Sequence, residues 1–343
     1  MARFNAGIFG ATGAAGKELI KVLADRKFPV GKLRLFASER SEGKSIETPF
    51  GAITVENANE VDFTGLDVCL FAIGGGWPTE FAPKAVAAGA YVIDNSSTFR
   101  YDPKVPLVIP EINSDAIGKS LLIANPNCTT AIAIIPLEVI RKHFGLKTVI
   151  MSTYQAASGA GAEGMDELLA ETRNVLSGKK AGNSVFAHPL PFNVIPHIDV
   201  FLENGYTKEE MKVVWETRKI LDLPDLAISS TCVRIPVLRA HSEAITVETE
   251  KPVDIAELKK FLANTQMVEL VDDPAAGKYP MPLNATGKYP VEVGRIRQSL
   301  VFKERGIDFF VSGDQLLRGA ALNAVLIAEA LIHAGKLVPR GTK

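Results

Sequence analysis

The stretch Gly7-Ile8-Phe9-Gly10-Ala11-Thr12-Gly13-Ala14-Ala15-Gly16 decides the fold. It is a G-x-x-G-x-x-G spacing, opened by the short apolar run Arg3–Phe9. After it comes Lys17–Arg26, whose Leu19, Ile20, Val22 and Leu23 fall at helical spacing. A strand that turns on glycines into a helix presents backbone N–H groups and a helix N-terminus to a pyrophosphate. Glycine is needed because the chain must turn tightly and let the phosphate come close. A tight βα turn that binds nothing has the same local pattern. The place of this turn in a βαβ context argues for dinucleotide binding.

Working outward, Phe28-Pro29-Val30-Gly31 breaks the helix and Lys32–Ala37 forms a second strand. The strand Asp67–Ile73 ends in Gly74-Gly75-Gly76, and a helix near Pro78–Ala88, a strand Tyr91–Asp94 and a loop Asn95–Arg100 follow. Leu107–Ile109 and Leu121–Ala124 read as later strands. Strands alternating with helices predict an α/β fold with a Rossmann-like, doubly wound parallel sheet. The character changes after Cys128. Val149–Tyr154, Ala227–Val237 and Glu243–Thr249 are β-rich segments separated by longer helices and Pro-rich loops such as His188-Pro189-Leu190-Pro191. They predict a second, α+β domain with a mixed or antiparallel sheet. Gly319–Ala334 is an apolar Ala/Leu helix stopped at Gly335, and it needs a sheet to cover, for which the N-terminal one is the candidate. The expected division is therefore 1–127 with 315–343, against 128–314.

The chain has 343 residues, 38 Lys plus Arg against 39 Asp plus Glu, and a net charge of -1. A chain of this length makes about two domains of ordinary size. Hydrophobic residues at 47% and charged residues at 22% describe a soluble globular protein and exclude disorder and collagen. The charge balance gives no pull towards nucleic acid or an anionic membrane. No apolar stretch approaches the roughly 18 residues of a membrane span, and the residues before the first strand read as carrying no leader, which is an expectation. The cysteines, at 69, 128 and 232, form neither a disulfide framework nor a metal-ligand spacing. The expectation is a cytoplasmic protein with no metal.

The end of the second strand bears on which dinucleotide is held. An acidic residue there grips the ribose 2′-hydroxyl of NAD, whereas arginine and hydroxyls suit the 2′-phosphate of NADP. The segment Ala37-Ser38-Glu39-Arg40-Ser41-Glu42 offers both, and Ser38, Arg40 and Ser41 favour NADP. Cys128 is the nucleophile candidate. It lies in Asn125-Pro126-Asn127-Cys128-Thr129-Thr130 and opens a helix that runs to Phe144, with Pro136 predicting a kink or restart. The positive end of a helix dipole favours the thiolate. Beside a nicotinamide such a thiolate adds to an aldehyde, hydride leaves, and a thioester remains for water or phosphate to cleave. His241, in Cys232-Val233-Arg234-Ile235-Pro236-Val237-Leu238-Arg239-Ala240-His241-Ser242, has two arginines upstream.

These residues carry a resemblance. Gly10-Ala11-Thr12-Gly13, Asn95-Ser96-Ser97 with Arg100, Asn125-Pro126-Asn127-Cys128-Thr129 and Gln155 with Ser158-Gly159 stand in family order. So do Cys232-Val233-Arg234, His241-Ser242, Val293-Gly294-Arg295-Ile296-Arg297 and Gly319-Ala320-Ala321-Leu322-Asn323. Together they resemble the bacterial aspartate-semialdehyde dehydrogenases over essentially the whole chain. The resemblance implies a second domain like that of glyceraldehyde-3-phosphate dehydrogenase. It also implies NADP-dependent reduction of L-4-aspartyl phosphate to L-aspartate 4-semialdehyde and phosphate, on the diaminopimelate–lysine, methionine and threonine routes.

By the same resemblance Cys128 is the acyl-thioester nucleophile, His241 the general acid/base, and Gln155 orients the intermediate. Arg234 would grip the substrate carboxylate, Glu209 the amino group, and Arg100, Lys212 and Asn127 the phosphate. Gly10, Thr12, Gly13, Ala14, Ala15, Ser38, Arg40, Ser41, Ser158, Gly159 and Gln315 match cofactor positions. The family forms homodimers or homotetramers through the second domain. Bland readings stand beside these roles. Glu209 and Lys212, three apart, form an ordinary i,i+3 pair on a polar helix Lys208–Leu221. Gln155 caps the helix Ala162–Leu176, and Arg100 is a surface arginine. The nearest rival, N-acetyl-γ-glutamyl-phosphate reductase, would need no amino-binding carboxylate.

Overall fold

A computed structural model describes residues 2–340 and divides them into two compact units, one of residues 2–127 with 320–340, the other of residues 128–319. In the first unit, β1 (Phe4–Phe9) runs through the glycine turn into α1 (Ala14–Asp25), and β2 (Val30–Ala37) follows. The hairpin β3 (Ser45–Thr48) and β4 (Gly51–Asn57) precedes β5 (Val68–Phe71), α2 (Trp77–Ala87) and β6 (Tyr91–Asp94). A short α3 (Pro110–Asn113) and β7 (Leu122–Ala124) complete it.

The sheet order is β3-β4-β2-β1-β5-β6-β7, parallel throughout except for the β3–β4 pair. The chain leaves β1 for β2 on one side and returns through β5 on the other. The crevice beyond the carboxyl ends of β1 and β5 is therefore the switch point at which such sheets bind ligands. The core strands are apolar on both faces, as a covered parallel sheet requires, with Ile8, Phe9, Leu35, Phe36, Leu70, Phe71 and Ile93 fully buried. The terminal helix, residues 322–333, packs on α1 and β6, and Gly335 ends it in the left-handed conformation.

The second unit opens with α4 (Cys128–Phe144), followed by β8 (Thr148–Gln155), α5 (Gly161–Leu176), α6 (Lys208–Leu221), β9 (Ala227–Arg234) and β10 (His241–Glu248). It continues with α7 (Ile255–Ala263), β11 (Val268–Leu270), α8 (Pro282–Ala285), β12 (Val291–Ser299) and β13 (Lys303–Gly313). The mixed sheet runs β11-β12-β13-β10-β8-β9, with β8–β9 and β11–β12 parallel and the rest antiparallel. β8 alternates cleanly. Val149, Met151, Thr153 and Gln155 face the buried side, and Ile150 and Tyr154 the open one. α4 packs on the sheet through β12 and β13 and on α6 and α7. Pro136 sits inside α4 without ending it. Its missing N–H costs one hydrogen bond, and a helix buried along most of its length offsets that by apolar contact.

The return to the first unit comes at Ala320, five residues later than position 315. The segment between belongs to the second unit by its hydrogen bonds. Asp314 accepts from Arg239 Nε and Gly287 N, both at 2.7 Å, and Gln315 Oε1 accepts from Ala240 N at 2.9 Å. The predicted single helix from Gly319 is also two pieces, a π-helical turn Leu317–Ala321 and then residues 322–333. Among the described residues no helix is long and apolar enough to cross a membrane, and no three His, Cys, Asp or Glu side chains cluster to hold a metal.

Candidate functional site

In the first unit, the turn after β1 is held by Gly10 N and Ala11 N donating to Phe36 O at 2.8 and 3.0 Å. Gly10 has φ +83°, and a Cβ there would strike the Ala72 carbonyl after β5. Only glycine fits this crossing of β1 and β5. α1 starts on Gly13 with no side-chain cap, so its first N–H groups are left for a ligand. Thr12, Ala14 and Ala15 are half-buried around that N-terminus. Ser38 and Arg40 are exposed and Ser41 half-buried on a 3₁₀ turn at the end of β2. A glycine turn leading into an uncapped helix is the kind of terminus that accepts a pyrophosphate.

Arg100 is not a surface arginine. It is buried, donating from Nε to Asn125 O at 2.8 Å and from Nη2 to Asn95 O at 2.7 Å. Asn125 Nδ2 donates in turn to Asn95 Oδ1 at 2.8 Å, and Asn323 Nδ2 to Val108 O at 2.9 Å. Asn127 is also buried.

The second unit assembles the reactive groups at one end of its sheet. Gln155 ends β8 and pairs with Arg234 at the end of the parallel strand β9. β10 runs the other way and begins at His241, and its register, with Glu243 opposite Thr153, keeps His241 on the same buried face. The N-terminus of α4 arrives at this end. Cys128 Sγ lies 3.5 Å from His241 Nε2, and Cys128 is half-buried while His241 is fully buried. On the ring's other side, Ala156 N donates to His241 Nδ1 at 3.0 Å. Burial and the Arg234 charge hold the imidazole well below the usual histidine range. The other two thiols are inert. Burial pushes both Cys69 and Cys232 far up.

Arg234 donates to Ala156 O at 2.6 Å, with its guanidinium over the Phe186 ring. Gly159 packs closely beside it: a Cβ there would meet Arg234 Nη1 at 2.7 Å and the His241 ring at 3.3 Å, so the guanidinium would have to shift. Gln155 does not cap the following helix. Its Oε1 accepts from Thr153 Oγ1 at 3.0 Å and its Nε2 donates to Glu209 Oε1 at 3.1 Å.

Glu209 and Lys212 are placed by a capping box. Thr207 Oγ1 accepts from Glu210 N, and Glu210 Oε2 accepts from Thr207 N. This starts α6 at Lys208 and turns Glu209 and Lys212 towards the sheet. Their pairing, Nζ to Oε2 at 3.0 Å, is buried, with Glu209 only 5% exposed. Lys212 also donates to Asp199 Oδ2 at 2.7 Å. Burial lowers the lysine's pKa, but Glu209 and Asp199 outweigh it and the net shift is upward.

Gln315 donates to Ser158 Oγ and accepts from Ala240 N, so it steadies the residue before His241, which stands at φ +71°. Ser158 is buried with it.

Residue-type reasoning missed two participants, the Ala156 amide and Asp199, and a buried acid on the strand of His241, Glu243. Both Glu243 oxygens are buried without a hydrogen-bond partner, and burial raises its pKa well above the usual carboxylate range. A backbone amide has no sequence signature, and Asp199 sits in an irregular loop thirteen residues from Lys212. The position of Glu243, two residues beyond His241 in a strand, was the one available signal.

A dinucleotide turn on one unit and a Cys–His pair on the other define a class, the two-domain nucleotide-binding semialdehyde dehydrogenases. Family models agree. A semialdehyde dehydrogenase NAD binding domain matches residues 5–120, and a semialdehyde dehydrogenase dimerisation domain matches residues 137–318. The chain is 46% identical to the aspartate-semialdehyde dehydrogenase of Aquifex aeolicus, covering 97% of this chain and 99% of that one. It is 44% identical to aspartate-semialdehyde dehydrogenase 2 of Vibrio cholerae, covering 96% and 98%. The solved Vibrio cholerae aspartate semialdehyde dehydrogenase II, complexed with ASA, superposes with a TM-score of 0.94 at 43% identity, covering 97% of this chain and 99% of that one. A probable aspartate-semialdehyde dehydrogenase from Pseudomonas aeruginosa reaches 0.90 at 26% identity, covering 96% and 98%. The chain belongs to the aspartate-semialdehyde dehydrogenase family.

Proposed function

We propose that this protein catalyses the NADP-dependent reductive dephosphorylation of L-4-aspartyl phosphate to L-aspartate 4-semialdehyde, through an acyl-thioester on Cys128. The observation that carries the proposal is the half-buried thiol at the N-terminus of α4, 3.5 Å from a buried imidazole. Buried Arg234 and Glu209 lie at the same end of the sheet as opposite charges for an amino-acid head group.

The Cys128 sulfur attacks the acyl carbon and phosphate leaves with the bonding pair. A nicotinamide cofactor held at the glycine turn would supply hydride to the thioester carbon. The tetrahedral oxyanion then collapses, the C–S bond breaks, and its electron pair returns to sulfur. Arg234 binds the α-carboxylate through a fixed fork. Glu209 takes the α-ammonium, and Gln155, tied to Glu209, orients the acyl group. Arg100, Asn127 and Lys212 are the proposed phosphate ligands. Gly10, Thr12, Gly13, Ala14 and Ala15 would hold the pyrophosphate, Ser38, Arg40 and Ser41 the 2′-phosphate, and Ser158, Gly159 and Gln315 complete the cofactor contacts.

The reaction is the second step from aspartate towards lysine, methionine and threonine. A homodimer through the second unit is supported by its open sheet face, with Ile150 and Tyr154, and by the exposed apolar loop residues Phe192, Val194, Val200 and Phe201.

Absorbance at 340 nm tests the reading. NADPH should form from L-aspartate 4-semialdehyde only when phosphate is present, with NADP preferred to NAD. Activity confined to N-acetylglutamate semialdehyde would refute the substrate, and faster turnover with NAD would refute the cofactor.

A further inference from the structure

We infer that the segment between α5 and α6 is a strap that positions two cations of the site, Arg234 and Lys212, and that Glu167 is the latch that holds it down. What the strap does rests on the substrate-binding roles proposed above for those two cations. The latch rests on geometry alone.

The segment runs from Ser177 to Thr207 with no helix and no strand longer than a single bridge. Irregular connections longer than about 12–15 residues are uncommon in compact domains, because ordering them costs conformational entropy. This one is tied down at three places. At the first, two half-buried carboxylates one turn apart on α5 collect its backbone donors. Glu167 Oε2 accepts from Ser184 N at 2.6 Å, from Val185 N at 2.7 Å and from the Ser184 hydroxyl. Glu171 Oε2 accepts from Gly182 N at 2.6 Å. Burial pushes Glu167 up, but its hydrogen-bond donors outweigh this and hold the carboxyl below its usual range.

The second tie is to Arg234. The donors to Glu167 lead directly to Phe186, which packs in a buried cluster with Ala157, Leu168, Leu190 and Ile195. Its ring lies against the Arg234 guanidinium, with Cζ 5.7 Å from the ring centroid. Farther along, Ile195 N donates to Arg234 O at 2.9 Å and Arg234 N to Ile195 O at 2.8 Å, so the segment covers the outer edge of β9 at that residue. The third tie is to Lys212. Asp199 stands at φ +68°, and its Oδ2 accepts from Lys212 Nζ at 2.7 Å, alongside Glu209 Oε2 at 3.0 Å.

A connection that only closed a gap would have no reason to converge on two cations of one site. The Phe186 ring keeps water from one face of the Arg234 fork, and an ion pair made by a guanidinium in that drier setting is stronger. Asp199 and Glu209 together fix the Lys212 ammonium. The strap therefore sets how tightly aldehyde and phosphate are held, and leaves the bond-making at Cys128 to other groups. Phe186, Asp199 and Glu167 are positioning residues.

Hydrogen exchange read by mass on the full-length protein tests the latch without substrate. In Glu167→Ala the peptides holding residues 182–186, Ile195 and Arg234 should all exchange at least about tenfold faster, with α4 and β10 unchanged. Glu167→Gln keeps an acceptor oxygen for Ser184 and Val185 and should restore wild-type exchange. Acceleration confined to residues 182–186, or none, would overturn the strap. Steady-state kinetics test what the strap does. Glu167→Ala should raise KM for L-aspartate 4-semialdehyde and for phosphate roughly 3- to 10-fold with kcat within about twofold, and Glu167→Gln should rescue both. Unchanged KM values, or a loss wholly in kcat, would overturn the positioning role. Phe186→Leu leaves the latch intact and should raise KM for the aldehyde alone, by roughly 3- to 10-fold. It decides the case even where Glu167→Ala does not fold, since an unchanged aldehyde KM there also overturns the role. A protein inactive on aspartate semialdehyde would refute the reaction proposed above, and the exchange measurement would still decide the latch.

Discussion

Replacing Glu209 by glutamine isolates one charge in the site. The carboxylate accepts from Gln155 Nε2 at 3.1 Å and from Lys212 Nζ at 3.0 Å. An amide can turn its oxygen to Lys212 and its NH₂ to Gln155. Gln155 then presents its oxygen and Thr153, a hydroxyl that both donates and accepts, reverses its bond. Lys212 keeps Asp199 at 2.7 Å, so no buried cation is stranded. What Glu209→Gln removes is the negative charge offered to the substrate ammonium. A hydrogen bond to a charged group contributes about 1.5–3 kcal/mol against about 1 for a neutral one. The difference is about 0.5–2 kcal/mol, and with about 1.4 kcal/mol per tenfold kcat/KM for L-aspartate 4-semialdehyde should fall roughly 2- to 30-fold.

Initial rates at 340 nm with succinate semialdehyde, the same chain without the amino group, provide the control and should be unchanged within error in the variant. The protein's melting temperature should move by only a few degrees. An unchanged kcat/KM on the aspartyl substrate would refute the ammonium-binding role, and equal losses on both substrates would show that Glu209 acts only through structure.

Three further outcomes are expected. Cys128→Ala should abolish turnover while leaving NADP binding, followed by fluorescence titration, within about twofold, and measurable steady-state turnover would exclude the thioester route. Gly10→Ala forces a side chain into φ +83° against the Ala72 carbonyl, so it should cost at least about 1 kcal/mol of stability and weaken NADP binding in calorimetry; wild-type stability and affinity together would contradict the turn's geometry. Glu243 binds its proton more tightly folded than unfolded, so the stability it contributes is complete below the ordinary carboxylate pKa and is lost as pH rises. Glu243→Gln should therefore melt higher than wild type at pH 8, with the gap narrowing towards pH 5, and a gap that widens on acidification would reverse the sign of the argument.

Much of this molecule is legible in one dimension because the signals are local. The glycine turn, the apolar period of α1 and the parallel strands depend on residues a few positions apart, so spacing alone reveals them. Cys128 stands out for the same reason, as the one thiol in a polar turn before a helix. The ordered motifs carried the family and, through it, the identity of the side chains named for the site.

What the sequence could not show is set by contacts between distant segments. Strand register decides that Gln155 stands beside Arg234 and that His241 faces the same side. Residues 314 to 319 stay with the second unit because Asp314 and Gln315 bond to Arg239, Gly287 and Ala240. The Glu209–Lys212 pair looks like any surface i,i+3 pair until the capping box and the sheet bury it. Arg100 becomes buried only when the loops after β6 and β7 close around it. The His241 ring meets the Ala156 amide, eighty-five residues away in the chain and carrying no side-chain information. Sequence determines which groups exist and which local turns they make. Tertiary structure determines their protonation, burial and partners, because those depend on distance through space and on how much water is left around each charge.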